Sequence, residues 1–163
     1  MRESQPEIDE VDRDILAALS QDGRLTNRAL ATRLGLAEST CAYRIRSLRD
    51  RRVIIGTQVQ LNLAALGYPI QALIKVRLQA HNQQIVTELY DALVAVPGVL
   101  QVFHVAGADD FHLHVAVEDA EALRDLVLEH VTVSPVVRQT ETQLIFEVRQ
   151  GPGALARRAV DRG

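Results

Sequence analysis

Residues 38–50 read ESTCAYRIRSLRD, and the types and spacing there suit nucleic-acid recognition. Each residue of a helix turns by about 100°. Cys41, Ile45 and Leu48 then share one stripe, at i, i+4 and i+7, and should face a core. Ser39, Tyr43, Arg46 and Asp50 point the opposite way, flanked by Thr40 and Ser47. Hydroxyls, a phenol and a guanidinium on one outer face are groups that can meet base edges and phosphates. The surrounding segment strengthens the signal: residues 24–52 hold eight arginines against two acids, Glu38 and Asp50. Residues 61–163 hold eight basic and twelve acidic residues, so a basic segment is joined to an acidic one. On charge alone a merely solvated helical surface would weigh about as much as a DNA reader.

Other chemistries find little support. The chain has no phosphate-binding glycine loop, no CxxC pair and no Ser/His/Asp grouping with supporting context, so it is not expected to be an enzyme. Five histidines stand at 81, 104, 112, 114 and 130. His112 and His114 are two apart on a predicted strand, hence on one face, but no third ligand is evident and no metal or other cofactor is expected. The single cysteine, Cys41, cannot form an internal disulfide; it suits a reducing compartment and a packing role. The opening MRESQPEIDE has no apolar core and does not read as a signal peptide. No uncharged apolar run approaches the roughly 18 residues of a membrane span. A soluble, cytoplasmic protein without a membrane partner is the expectation.

Length and composition allow the elements this requires. At 163 residues and 47% apolar content the chain can bury one or two small cores. Its net charge of −3 argues against long-range attraction of the whole chain to nucleic acid. Residues 1–7 are polar and predicted to be disordered. A first helix starts near Asp9, with Val11, Ile15, Ala18 and Leu19 on one stripe, acids in its first turn, and Gly23 closing it. Thr26 is a good cap for a second helix, with Ala29, Leu30 and Leu34 on its apolar face and Gly35 as its stop. Leu36 and Ala37 make the turn into the helix 38–50. Two short helices with a sharp turn between them make a helix-turn-helix, placed at about residues 27–46. Val53–Leu61 is β-rich and predicts a strand or wing. Residues 62–69, NLAALGYP, read as a helical turn inside a linker.

The second half has another rhythm. Ile70–Leu78 alternates, with Ile70, Ala72, Ile74, Val76 and Leu78 on one face, and reads as a strand with one buried side. A helix follows over residues 82–96, with Ile85, Leu89, Ala92, Leu93 and Val96 inward. Strands at 99–106 and 111–117 are joined through GADD, a helix runs from Asp119 to about Val131, and a last strand spans 137–148. The order β-α-β-β-α-β is the ferredoxin-like split βαβ arrangement. Two helices can cover only one face of that sheet. The other is expected to carry Leu73, Phe103, Val105 and Ile145 among polar residues, an apolar patch that predicts face-to-face pairing of two copies. The tail GPGALARRAVDRG reads as loose, with one further helical turn in ALARRAV.

At this level the chain resembles the Lrp/AsnC (feast/famine) family of transcription regulators. The matching residues are IDEVDRDILAALSQDGRLTNRALATRLGL, RIRSL, VIIG, HVAGADDF and QTETQLIFEV, spread over about residues 8–150. The resemblance implies an α+β protein: an N-terminal helix-turn-helix, winged-helix-like domain over 8–61, a linker over 62–69, and a C-terminal ferredoxin-like βαββαβ (RAM) domain over 70–150 for effector binding and oligomerisation. It implies dimers that assemble into octamers or larger, and amino-acid-like effectors bound between dimers near the middle hairpin. Three positions depart from the family pattern. Ala37 stands where serine usually caps the recognition helix, Arg52 where glycine is usual, and Ala108-Asp109 where the loop often carries an acidic-aromatic pair. If position 52 needs a positive φ, arginine is strained there.

The resemblance also assigns roles. The helix Glu38–Arg49 would enter a major groove of double-stranded DNA, with Ser39, Thr40, Tyr43 and Arg46 at base edges or nearby phosphates. Arg44, Arg49, Arg51 and Arg52 would contact the DNA backbone; for Arg44 the alternative is an ion pair that braces the domain. In the effector loop Gly107 would let a backbone N–H approach a carboxylate, and Asp110 would pair with an ammonium group, with Thr140 and Thr142 beside them. The plainer alternatives are a hairpin glycine, a turn-capping aspartate and strand-forming threonines. A sequence-specific regulator modulated by an amino acid or related effector is the leading reading. A nucleoid-organising protein of low sequence specificity and a small-molecule-sensing accessory protein are the alternatives.

Overall fold

The computed structural model describes residues 7–79 and 82–155. The predicted disorder before Glu7, His81, and all of ALARRAV beyond Leu155 lie outside the described residues. The chain divides into two compact units, Met1–Gln60 with Arg149–Gly163, and Leu61–Val148.

In the first unit three helices form around one small core. Helix α1 (Glu10–Gln21) starts at Asp9, whose side chain accepts the Asp12 N–H. Helix α2 (Asn27–Leu34) starts at Thr26, which accepts from Ala29 N–H, and ends at Gly35 in the left-handed conformation, φ 67°. Helix α3 (Glu38–Asp50) follows after two residues. Ile15, Leu30, Cys41 and Leu48 are fully buried where the three meet, with Ala18, Ala31 and Ile45 around them. The expected strand or wing at Val53–Leu61 does not form. Val53 and Ile54 turn back onto the core, both donating to the Leu48 carbonyl, at 2.9 and 3.1 Å. Ile55 and Val59 are left 93% and 82% exposed. β-branched residues record a fit to a pleated, half-buried surface, and within this chain no described strand lies beside them to supply one.

The second unit opens with a single 3-10 turn, Ala64–Leu66, closed by Gly67. Strand β1 (Ile70–Leu78), helix α4 (Gln83–Val94), strands β2 (Val99–His104) and β3 (Phe111–Val117), helix α5 (Ala120–Leu126) and strand β4 (Val137–Ile145) follow in the expected order. The sheet order is β2-β3-β1-β4 and every pairing is antiparallel. Ala72, Ile74, Val76, Leu113, Val115 and Leu93 form the centre of its core. Three expectations shift. Ala92, expected inward, is exposed. The helix after Asp119 keeps α geometry only to Leu126 and continues to Val131 as a wider π turn. β4 stops at Ile145, opposite Gln71 of β1, and Phe146 beyond it is 99% exposed.

Register fixes the open face of the sheet. Residues opposite one another in an antiparallel pair share a face. Leu73 stands opposite His114 and Gln143, His112 opposite Phe103, and Gln71 opposite Ile145. With Ala72, Ile74 and Val76 turned to the helices, these residues line the other side.

Candidate DNA interface and effector loop

The recognition-type helix α3 shows why its residues divide as they do. Its Cys41, Ile45 and Leu48 are consumed by the core, so rotation by half a turn leaves Ser39, Thr40, Tyr43 and Arg46 exposed, Tyr43 at 73%. Arg46 and Arg49 make no ion pair among the described residues and project freely. Both departures at the helix ends have structural consequences. Ala37 takes the N-cap backbone conformation, φ −72° and ψ 143°, without a side-chain hydrogen bond, and Glu38 supplies only a first-turn negative charge. Arg52 sits at φ 56°, the left-handed region where glycine is easiest.

Arg44 and Arg51 behave differently from Arg46 and Arg49. Arg44 Nη1 pairs with Asp9 and lies 3.0 Å from Asp12 Oδ1. Arg51 Nη1 lies 3.7 Å from Asp12 Oδ2, and its Nη2 donates to the Glu7 carbonyl at 2.8 Å. Hydrogen bonds from Asp12 N–H and then from Arg44 hold the Asp9 carboxyl below its usual range. Asp9 and then Asp12 raise Arg44 further. The sequence reading placed both arginines on DNA backbone. The geometry gives each an internal partner instead, and for Arg44 this is the bracing alternative already weighed. Asp12 was missed as a partner, because its contacts lie more than thirty residues away and its position alone suggested a helix-dipole role.

The effector candidates are dispersed. Gly107 has φ 147° and open space around the site of a Cβ. Asp110 ties the hairpin to β1: its N–H donates to the Val76 carbonyl at 2.9 Å and its Oδ2 accepts Leu78 N–H at 2.7 Å. That is the structural duty of a turn-capping aspartate. Thr140 and Thr142 pair with Val76 and Ile74 on the opposite side of β1. Two strand spacings, roughly 10 Å, therefore separate them from β3, with fully buried Val76 and Ile74 between. One chain alone does not bring the four together.

The structure adds a neighbouring cluster. Asp109 receives Arg77 Nη2 at 3.2 Å and lies 3.4 Å from His112 Nε2. Burial opposes ionisation of Asp109, but the His112 and Arg77 hydrogen bonds outweigh it and lower its pKa. Arg77 Nε is buried without a partner. Burial also lowers the His114 pKa; its ring meets Gln71 at 2.9 Å. In the first unit a groove of about 960 Å³ is lined by Leu16, Leu19, Leu25, Ile54 and Leu155 among others, and holds none of the effector candidates. Among the described residues no helix is long and apolar enough to cross a membrane, and no three His, Cys, Asp or Glu side chains group as metal ligands.

Comparison with known proteins agrees with this two-part layout. The winged helix-turn-helix DNA-binding family matches residues 8–55, and the Lrp/AsnC ligand binding domain matches residues 71–151. The chain belongs to the Lrp/AsnC family. It is 43% identical over 145 residues to the HTH-type transcriptional regulator AldR of Mycobacterium tuberculosis, covering 89% of this chain and 81% of that one. The leucine-responsive regulatory protein of Rhizobium meliloti is 33% identical over 138 residues, 85% of this chain and 88% of that one. A crystal structure of the M. tuberculosis AldR shares the fold at a TM-score of 0.77 and 39% identity, covering 88% of this chain and 95% of that one. This Lrp/AsnC chain is thus a transcriptional regulator with a DNA-binding and a ligand-binding domain, of α+β fold as expected.

Proposed function

We propose that the protein binds operator DNA sequence-specifically by inserting α3 into the major groove, as a homodimer or larger assembly whose state an amino acid or related metabolite shifts. The observation that carries this is the exposed face of α3. Ser39, Thr40, Tyr43 and Arg46 meet base edges or nearby phosphates, and Arg49 and Arg52 meet the DNA backbone. The apolar residues among polar ones on the open sheet face, Leu73, Phe103 and Ile145, support pairing of two copies. A two-fold dimer suits paired half-sites. The separation of Gly107 and Asp110 from Thr140 and Thr142 supports an effector site completed by a second copy. The ligand-binding domain match and the leucine-responsive relative support an amino-acid-like effector. The protein acts in the cytoplasm, where its DNA is, and does so without catalysis.

Sequencing genomic fragments captured at roughly physiological salt tests this reading. A few enriched fragments sharing a two-fold symmetric motif are expected. Even capture without a motif would favour nucleoid organisation instead, and no capture would remove the DNA-binding assignment.

A further inference from the structure

Asp12 is the charged side chain in the buried core of the described residues, 5% exposed. A buried carboxylate is costly unless it is paired and hydrogen-bonded. Here one oxygen meets Arg44 and the other faces Arg51. Arg44 lies on α3 and Arg51 is its C-cap, seven residues and almost two full turns further on, so they share one edge of the helix about 10 Å apart along its axis. Asp9 shares Nη1 of Arg44 with Asp12, and the Glu7 carbonyl accepts from the other terminal nitrogen of Arg51. Both arginine side chains are 29% exposed.

We propose that Asp12 is a positioning residue for DNA recognition. Its buried carboxylate clamps Arg44 of α3 and the C-cap Arg51 to the start of α1, which sets the rotation of α3 and withholds both arginines from DNA phosphates. The proposal rests on α3 being the DNA-contacting helix. Apolar contacts among Cys41, Ile45 and Leu48 are non-directional and tolerate small rotations, whereas the charge-assisted hydrogen bond from Arg44 to Asp12 at the edge of that stripe does not, and the Arg51 ion pair reinforces it. Rotating α3 by one residue would swing Tyr43 and Arg46 through about 100°. The clamp also means that the arginines of residues 24–52 overstate the charge offered to DNA.

The test compares wild type, Asp12→Asn, Asp12→Glu and Arg51→Gln. Each binds a captured operator fragment and an unrelated duplex over a salt series, with circular dichroism and gel filtration as controls for folding and assembly. For Asp12→Asn the ratio of operator to unrelated binding falls at least about ten-fold, and the salt slope on unrelated DNA steepens by about 0.9, because freed Arg51 gains a phosphate. Asp12→Glu restores part of the ratio. For Arg51→Gln the ratio falls while the salt slope stays unchanged, since in the wild type Arg51 touches no phosphate. A folded Asp12→Asn with an unchanged ratio overturns the proposal. So does an Arg51→Gln slope that flattens by about 0.9, which decides the matter even if Asp12→Asn fails to fold. Wild type that captures no DNA overturns the DNA-binding reading itself, and the clamp with it.

Discussion

In the first unit the candidate base contacts all lie on one 13-residue helix. In the second, Gly107 and Asp110 lie on one side of β1 and Thr140 and Thr142 on the other. A helix sorts its own residues into core and contact faces by rotation, so a site on it is complete within one chain. A site spread along and across strands depends on register, and here on what a second copy brings.

That contrast can be broken at its foundation first. Leu48→Ala opens a cavity in the first unit and is expected to cost about 2–5 kcal/mol. It should abolish operator binding while gel filtration shows the wild-type assembly size, because the open sheet face is untouched. Loss of assembly would show that the two functions are not separable by unit. Next, Arg46→Ala should weaken specific binding by about 1–3 kcal/mol, read by salt-controlled titration, with no change in oligomer size. Its counterpart, Gly107→Gln, forces a side chain onto φ 147° in the loop. Ligand-induced melting shifts with candidate amino acids should vanish, with ligand-free operator affinity retained. A normal shift would remove Gly107 from the pocket.

Smaller effects sharpen the account of α3. Arg52→Gly relieves the left-handed strain and should raise unfolding stability by about 1 kcal/mol, while flattening the salt slope if Arg52 meets a phosphate. Ala37→Ser supplies the missing cap and should add roughly 1 kcal/mol in chemical denaturation. The smallest effect is on pH. The Asp9 carboxyl is depressed in the folded state, so its contribution is present above the ordinary carboxylate value and lost as pH falls through the folded one. The stability gap between wild type and Asp9→Asn should therefore shrink in acid; a gap constant to pH 2 would deny Asp9 this role.

Local patterns were readable in the sequence where one element decided the outcome. The stripe Cys41, Ile45, Leu48, the caps Thr26 and Asp119 and the alternation of β1 all follow from residues close in the chain. Reading failed where the partner was remote or missing. Val53–Leu61 had strand-like composition but no strand beside it. The clamp by Asp12 joins residues 32 and 39 positions apart, and neither spacing nor charge pattern marks it. Asp109 stood in the loop motif, but only the fold shows that Arg77 and His112 converge on it.

The two bonds from Asp110 to β1 have a mechanical consequence. β1 is an inner strand, gripped by β3 on one side and β4 on the other. A hairpin hung from Val76 and Leu78 by backbone N–H and carboxylate cannot flap alone. A ligand that pulls on it must either unhook both bonds or tilt the sheet as one plate, carrying Leu73, Phe103 and Ile145 with it.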